Sequence, residues 1–144
     1  MKNILVVLVV TLVFSLGAQA RDTKHLFSIQ DALDSADFRE RLNPDIKLFF
    51  GDQPHGTSSK NFGEFVTNRK TNGVGKSDRA ACEWVLLSAL LVLQERAVTE
   101  GGNAVVNIRS FYKKNEMSST TEFECHAGAI VTGVALKGTV VKID

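Results

Sequence analysis

One segment of this chain constrains its fold more than any other: a long apolar helix, predicted to run from Ser77 or Asp78 to Gly101. Ser77 and Asp78 are both good N-caps, and Gly101 is a natural C-terminal stop. The apolar residues form one helical stripe, widened by three leucines: Cys82, Val85, Leu86, Ala89, Leu93 and Ala97, with Leu87, Leu90 and Leu91. Because most of the circumference is apolar, we predict that a sheet covers one side of this helix and a second layer covers another.

The segments on either side of the helix have the composition and alternation of β-strands. Strands are predicted at residues 46–50, 63–69, 103–112 and 120–127. Residues 130–136 and 139–143 are predicted to form one or two further strands, broken near Gly138. We expect residues 103–112 and 120–127 to form an antiparallel hairpin. A short or broken helix is predicted from Ser28 to no further than Leu42. The fold class that follows is α+β: an antiparallel sheet of about five strands with one long helix packed across a face, plus a short N-terminal helix.

The first twenty residues have the parts of a secretory signal peptide in order. Met-Lys-Asn precedes an apolar run from Ile4 to Leu16, and Ala18-Gln19-Ala20 forms a small-x-small cleavage signature. An uncleaved membrane anchor is the alternative, but the run is shorter than the ~18 to 20 apolar residues that a spanning helix needs. We therefore predict cleavage after Ala20 and a periplasmic or secreted protein. The two cysteines lie far from that point, so no lipid anchor is expected.

The remaining chain is predicted to be an N-terminal helical segment, residues 21–44, and a single α+β domain, residues 45–144. The whole chain has 17 Lys and Arg against 16 Asp and Glu, and removal of Lys2 with the signal peptide makes the two numbers equal. A neutral chain gains no global electrostatic attraction to nucleic acid or to an anionic membrane. We expect no nucleic-acid partner.

Cys82 and Cys125 are predicted to form a disulfide. Cys82 lies on the buried stripe of the long helix, and Cys125 shares a strand face with the apolar Phe123, so both side chains point into one helix-sheet seam. An oxidising compartment favours a bridge over the alternative of two buried free thiols. The chain has no Cys-x-x-Cys, which argues against redox chemistry.

Gly73-Val-Gly-Lys-Ser77 superficially matches a nucleotide-binding P-loop, since it follows a predicted strand and precedes a helix. The full pattern needs a glycine where this chain has Lys70. The only candidate for a metal-holding aspartate after a second apolar strand is Asp144. We interpret the segment as a turn plus a helix N-cap, and we expect no nucleotide partner and no cofactor.

The histidines give no recognisable metal or catalytic pattern. His25, His55 and His126 are far apart in the sequence, and only Asp52 and His55 share a loop. Solvated loop residues explain that pair better than a metal site does. His126 follows Cys125 on a predicted strand, so alternation sends the two side chains to opposite faces and argues against a Cys-His pair. No catalytic residue and no metal ligand is predicted.

One basic cluster remains as a candidate contact surface: Arg109, Tyr112, Lys113 and Lys114 at the tip of the predicted hairpin. A second basic group, Arg69, Lys70 and Lys76, lies in another connection that could approach it. Cations beside an aromatic ring can bind anions, lipid headgroups or an acidic partner. The alternative is that these side chains are simply solvated, as charged hairpin tips usually are.

Three segments carry a family resemblance: FVTNRKTN at residues 65–72, GGNAVVNIR at residues 101–109 and EFECHAG at residues 122–128. Over roughly residues 45–143 the chain resembles small exported bacterial proteins labelled "excinuclease ATPase subunit". It lacks the nucleotide sites, zinc motifs and length of the enzyme in that label, so neither excinuclease nor ATPase activity is expected.

A more distant resemblance rests on the helix followed by Gly-Gly-Asn-Ala-Val-Val. This segment is similar to the corresponding part of the Rcs-pathway outer-membrane sensor lipoprotein and of a related family of small oligomers proposed to bind metal. The sensor resemblance implies an α+β periplasmic domain, stapled by disulfides, that contacts other envelope proteins. The present chain differs in having one possible disulfide and no lipid-attachment cysteine.

Together these observations predict a non-enzymatic periplasmic or secreted module that binds a protein partner or an envelope component. The alternative is a small-molecule or metal-binding homo-oligomer, which the distant resemblance and the very apolar helix suggest. A hydrolase is the third possibility, although no nucleophile and base can be paired from the sequence.

Overall fold

The computed structural model describes residues 21–144. The predicted signal peptide, residues 1–20, and its cleavage after Ala20 lie outside the described residues. Between Arg21 and Asp144, seven strands and three helices follow in chain order: β1 (Asp22–Ser28), α1 (Ile29–Asp34), α2 (Ala36–Arg41), β2 (Lys47–Phe50), β3 (Ser58–Asn72), α3 (Asp78–Glu100), β4 (Ala104–Tyr112), β5 (Asn115–Met117), β6 (Glu122–Gly128) and β7 (Val131–Ile143).

The sheet is built around β7. Along one edge β7 pairs with β3 over almost its whole length. Its other edge is shared, because β6 pairs with the first residues of β7 and β4 pairs with the later ones. β1 lies outside β6, β5 pairs with β4, and β2 lies beside β4 as a parallel strand. The predicted antiparallel sheet of about five strands is therefore a mixed sheet of seven.

The predicted hairpin between residues 103–112 and 120–127 is wrong. β4 turns back into the short β5 through a two-residue turn, Lys113–Lys114, with Tyr112 opposite Asn115. β6 pairs instead with β1 in a continuous antiparallel register. β1 lies within the segment predicted to be helical, residues 21–44. It has only two large apolar residues, side by side, so the alternation that marks a half-buried strand is missing from its sequence.

The N-terminal helix is present as two short helices. Ser28 caps α1 by accepting a hydrogen bond from the Asp31 N–H. Ser35 has an extended backbone between α1 and α2, so the helix is broken there, within the predicted range. The helical segment ends at Leu42 and is followed by Asn43 and Pro44.

The long helix α3 matches its prediction at both ends. Ser77 Oγ accepts a hydrogen bond from the Ala80 N–H at the start, and Gly101 at the end has the left-handed φ of 87° that favours glycine. The whole predicted stripe is buried: Cys82, Val85, Leu86, Ala89, Leu93 and Ala97. The sheet covers that stripe, and Phe38 of α2 lies beside Leu87 on the other flank. The helix is thus covered on two sides.

A disulfide joins Cys82 of α3 to Cys125 of β6, with their Cα atoms 5.9 Å apart. Both residues are fully buried, in the helix-sheet seam where the alternation placed them. A structural bridge of this kind is typical of small domains in oxidising compartments. Within residues 21–144, no helix is long and apolar enough to span a bilayer.

Gly138 does not interrupt the last strand. β7 runs without a break from Val131 to Ile143, so the one or two strands predicted there are one. A Cβ at position 138 would lie 2.7 Å from Val105 Cγ1 and 3.7 Å from Leu93 Cδ1. The glycine therefore allows β4 and α3 to approach β7 closely, and close approach is the usual reason for glycine inside a strand.

Candidate functional site

Arg109 does not lie at a hairpin tip. Its side chain is buried, with 8% exposure, on the sheet face opposite α3. The guanidinium contacts the Glu116 carboxylate through Nε at 3.2 Å and through Nη2 at 3.2 Å, and Nη2 also donates to Glu64 Oε2 at 3.1 Å. Lys137 Nζ lies 3.1 Å from the same Glu64 oxygen. These four residues tie together β3, β4, β5 and β7.

The ionisation of this network follows from its contacts. The hydrogen bond from Lys137, followed by the one from Arg109, holds the pKa of Glu64 below its usual value. The hydrogen bond from Arg109 is the main cause of the lowered pKa of Glu116. The pKa of Lys137 is raised, chiefly by its hydrogen bond with Glu64. The network is therefore fully charged at neutral pH and has a structural role, which leaves Arg109 little freedom to contact a partner.

Tyr112, Lys113 and Lys114 do lie where the chain reverses. Lys113 and Lys114 are exposed and have left-handed φ angles of 50° and 64°. Two-residue hairpin turns with positive φ at both positions strongly prefer Asn-Gly or similar pairs. A Lys-Lys pair in this turn therefore destabilises the backbone conformation relative to such a pair. Lys113 Nζ lies 5.4 Å from the centre of the Tyr112 ring.

The Tyr112 ring crosses the open sheet face and stacks on His126 of β6. The ring centroids are 3.4 Å apart and the planes differ by 10°. The Tyr112 hydroxyl lies 3.4 Å from Asp22 Oδ2 of β1. This contact closes one wall of a groove near the end of the sheet where β6 turns into β7.

We call this feature the end groove. It has a volume of about 240 Å³. Its lining residues come from β1, β3, β4, β6, β7 and the residue before β1: Arg21, Asp22, Lys70, Tyr112, His126, Gly128, Val131 and Gly133. The end groove is therefore assembled from almost every strand of the sheet.

Lys70 brings the second predicted basic group to the same place. It lies opposite Gly133 in the β3–β7 register and lines the end groove with Tyr112. Arg69, its neighbour, points to the other face, where Nε donates to Ser88 Oγ of α3 at 3.0 Å. The two predicted basic groups thus meet through Lys70 and Tyr112, which line the same groove, and not through the two arginines.

His126 lies between two carboxylates. Its Nδ1 is 3.2 Å from Asp22 Oδ1, and its Nε2 is 3.2 Å from Glu124 Oε2. Nε2 is buried and its geometry to Glu124 is too poor for a hydrogen bond. Because the carboxylates contact opposite nitrogens of the ring, the three groups do not converge on a point where a metal ion could sit.

The other histidines are engaged locally. His25 Nε2 lies 2.8 Å from Asp78 Oδ2, and Arg21 also forms an ion pair with Asp78. The hydrogen bond with His25, followed by the one with Arg21, lowers the pKa of Asp78. His55 Nδ1 lies 2.8 Å from the Gly56 carbonyl oxygen. Within residues 21–144, no three His, Cys, Asp or Glu side chains are grouped to hold a metal ion.

The Gly-Lys-Ser segment forms the turn and the cap that its sequence predicts. The Lys76 N–H donates to the Gly73 carbonyl at 3.2 Å, and Ser77 caps α3. The Gly73 N–H donates to the Ile130 carbonyl at 2.7 Å, so this loop lies directly beside the turn between β6 and β7. The segment therefore borders the end groove as part of its scaffold.

Sequence reasoning missed the inner wall of the end groove, which consists of Asp22 and His126. The alternation of β6 does place Glu122, Glu124 and His126 on the face away from Cys125. Nothing in the sequence indicated that β1 would bring Asp22 beside them.

Comparisons with protein-family models, with curated proteins and with solved structures gave no match.

Proposed function

We propose that this protein is a non-catalytic binding module of the periplasm or extracellular space, and that it holds an anionic group of a protein partner or envelope component in the end groove. The observation that carries the proposal is that Lys70 of β3 and Tyr112 of β4 line one groove, with Lys113 Nζ 5.4 Å from the Tyr112 ring. Ammonium groups beside an aromatic face suit a phosphate or a carboxylate.

The size of the end groove favours a group on a larger partner. Its volume of about 240 Å³ is below the roughly 300 to 1,000 Å³ of pockets that enclose a whole small molecule. A headgroup or one acidic side chain fits such a space. For this reason we prefer a binding module to the alternative, a small-molecule or metal-binding homo-oligomer.

Export is part of this proposal. The buried disulfide between Cys82 and Cys125 suits an oxidising compartment, where a bridge persists. Fractionation of cells that express the full chain measures directly whether the protein resides in the periplasm or in the extracellular space.

The test is in-cell crosslinking of the exported, tagged protein, followed by purification of the adducts. The informative variant combines Lys70→Gln, Lys113→Asn and Lys114→Gly, because Asn-Gly suits the turn and keeps the fold. Lys142→Gln is the matched control, since Lys142 is exposed near the opposite end of β7. We expect the triple variant to lose adducts that the control keeps. Identical adducts from both would refute the proposal.

A further inference from the structure

The two loops beside the end groove carry the most exposed large hydrophobic side chains among residues 21–144. Val74 is 61% exposed and Ile130 is 62% exposed, and the neighbouring Val131 is 48% exposed. We call Val74, Ile130 and Val131 the apolar tip. Single exposed aliphatics are normal on a protein surface, but neighbouring ones at one end of a molecule mark an interaction site.

Hydrogen bonds from backbone N–H groups hold the two loops that carry the apolar tip. The Gly73 N–H donates to the Ile130 carbonyl at 2.7 Å, which joins the two loops. Asn72 Oδ1 accepts from the Val74 N–H at 2.8 Å, and Val131 pairs with Asn72. The aliphatic side chains are thus presented by two loops that are hydrogen-bonded to each other, and they are exposed.

Four lysines outside any ion pair lie in the segments that border the end groove or the apolar tip. Lys76 shares the loop of Val74, and Lys70 lines the end groove with Val131. Lys113 and Lys114 follow Tyr112, which lines the same groove. Among residues 21–144, the lysines in ion pairs are Lys24 and Lys137, so none of the four belongs to one. The nearby acids are already engaged, because Asp78 contacts Arg21 and His25 and Asp22 contacts His126. The local charge is therefore positive although the predicted mature chain is neutral.

Building on the proposed function, we infer that the envelope component is an anionic phospholipid surface. Val74, Ile130 and Val131 enter the boundary between headgroups and acyl chains, while the four lysines contact headgroup phosphates. Interfacial binding of this kind needs both apolar insertion and electrostatic attraction. An acidic peptide would use the lysines but would leave the aliphatic side chains in water, so the apolar tip favours the lipid.

The apolar tip sets the orientation. Lysines outside ion pairs also lie near the opposite end of the sheet, at Lys47, Lys60 and Lys142, so within the part of the chain that the structure describes only the end groove combines such lysines with neighbouring exposed aliphatics. The electrostatic part of the attraction falls when salt screens the headgroups. The end of the sheet where β6 turns into β7 should therefore face the membrane, and Lys142, near the other end of β7, should point away from it.

The test is co-sedimentation of the exported protein with vesicles. One set contains phosphatidylcholine alone, and the other contains phosphatidylcholine mixed with phosphatidylglycerol. We expect binding to the mixed vesicles only, and weaker binding at high salt. Val74→Ser combined with Ile130→Ser should weaken it by about tenfold or more, and Lys113→Asn with Lys114→Gly roughly 30-fold.

Val98→Ser is the matched control for the aliphatic change, because Val98 is 56% exposed near the far end of α3. It should leave vesicle binding unchanged. Failure of the native protein to bind mixed vesicles would overturn the lipid inference, and so would equal binding by the Val98 and the Val74/Ile130 variants. Polyglutamate binding that is stronger than vesicle binding would assign the surface to an acidic protein.

The two proposals can fail separately. If vesicles are not bound but crosslinked adducts in cells still depend on Lys70 and Lys113, the lipid inference fails and the binding module stands. If vesicles are bound and the adducts do not depend on these lysines, the end groove is not the contact in cells, and the proposed function fails.

Discussion

Gln94 shows how one buried polar residue fixes the position of a helix. Its side chain is 3% exposed, and its amide oxygen accepts from the Asn43 N–H at 2.8 Å. The amide nitrogen donates to the carbonyls of Asn43 and Ile46 at 3.0 and 2.9 Å. One side chain thus satisfies three backbone groups in the loop before β2 and attaches that loop to α3.

Replacement of Gln94 by Leu should therefore destabilise the protein by about 1 to 3 kcal/mol, because buried backbone groups lose their partners. Urea unfolding followed by fluorescence of Trp84, the single tryptophan of the chain, measures the change. Glu95→Leu, at the exposed next position, is the control and should stay within about 0.5 kcal/mol of the native protein. Equal stabilities for the two variants would contradict this role for Gln94.

The network around Arg109 predicts an acid-dependent loss of stability. The pKa values of Glu64 and Glu116 lie below their ordinary value of 4.5 in the folded protein. A depressed carboxyl pKa contributes stability that is present above the unfolded value and lost as pH falls through the folded value. Glu116→Gln should therefore lower the melting temperature at neutral pH, and the difference from the native protein should shrink below pH 4.5.

Melting curves recorded between neutral pH and pH 3 test this expectation, with Glu122→Gln as the control on an exposed position of β6. If the difference in melting temperature between the native protein and the Glu116→Gln variant grows as the pH falls, its sign is wrong for a salt-bridge network. That result would rule out this role.

At the scale of elements, the sequence predicted structure well where a pattern is long and local. The caps and the buried stripe of α3 can be recognised in the sequence of that helix and its two flanking residues. The alternation that places Cys125 against the core can likewise be recognised in the sequence of β6. β4 shows why the rest fails. Asn107 has a left-handed φ of 50°, and the β4–β7 register shifts between Val106 and Arg109. This bulge moves Arg109 to the face opposite α3, an outcome that strict alternation cannot predict.

The turn between β4 and β5 gives a prediction at the same scale. Lys113→Asn with Lys114→Gly replaces two side chains in the left-handed region by the pair that this turn prefers. The double variant should be more stable than the native protein by about 1 kcal/mol, while its binding to anionic vesicles is weaker. Urea unfolding measures the first effect. A less stable variant would show that the lysines support the fold.

At the scale of the whole molecule, the disulfide connects the two layers of the domain. It joins α3 to β6 across 43 residues of sequence, and that interval contains the whole of β4 and of β5. A cross-link over such a loop lowers the conformational entropy of the unfolded chain, and this stabilises the folded protein by roughly 4 kcal/mol at room temperature. The pairing of β1 with β6 and the shared edge of β7 connect distant parts of the chain, so they could not be predicted from local patterns.

Cys82→Ala combined with Cys125→Ala should therefore cost about 4 kcal/mol, a large share of the stability of a small domain. Urea unfolding of the double variant and of the oxidised native protein measures the difference. In parallel, a thiol reagent added to the denatured, unreduced native protein should find no free sulfhydryl. Two labelled cysteines per chain would contradict the bridge.

The central claim is that the end groove and the apolar tip beside it form the binding surface. A photo-crosslinking amino acid placed in the exported protein tests this claim most directly. One probe replaces Lys113 beside the end groove, and the other replaces Lys142 near the opposite end of β7. Irradiation of living cells should give protein or phospholipid adducts from position 113 and none from position 142. Adducts from position 142 alone, or no adduct from position 113, would contradict the claim.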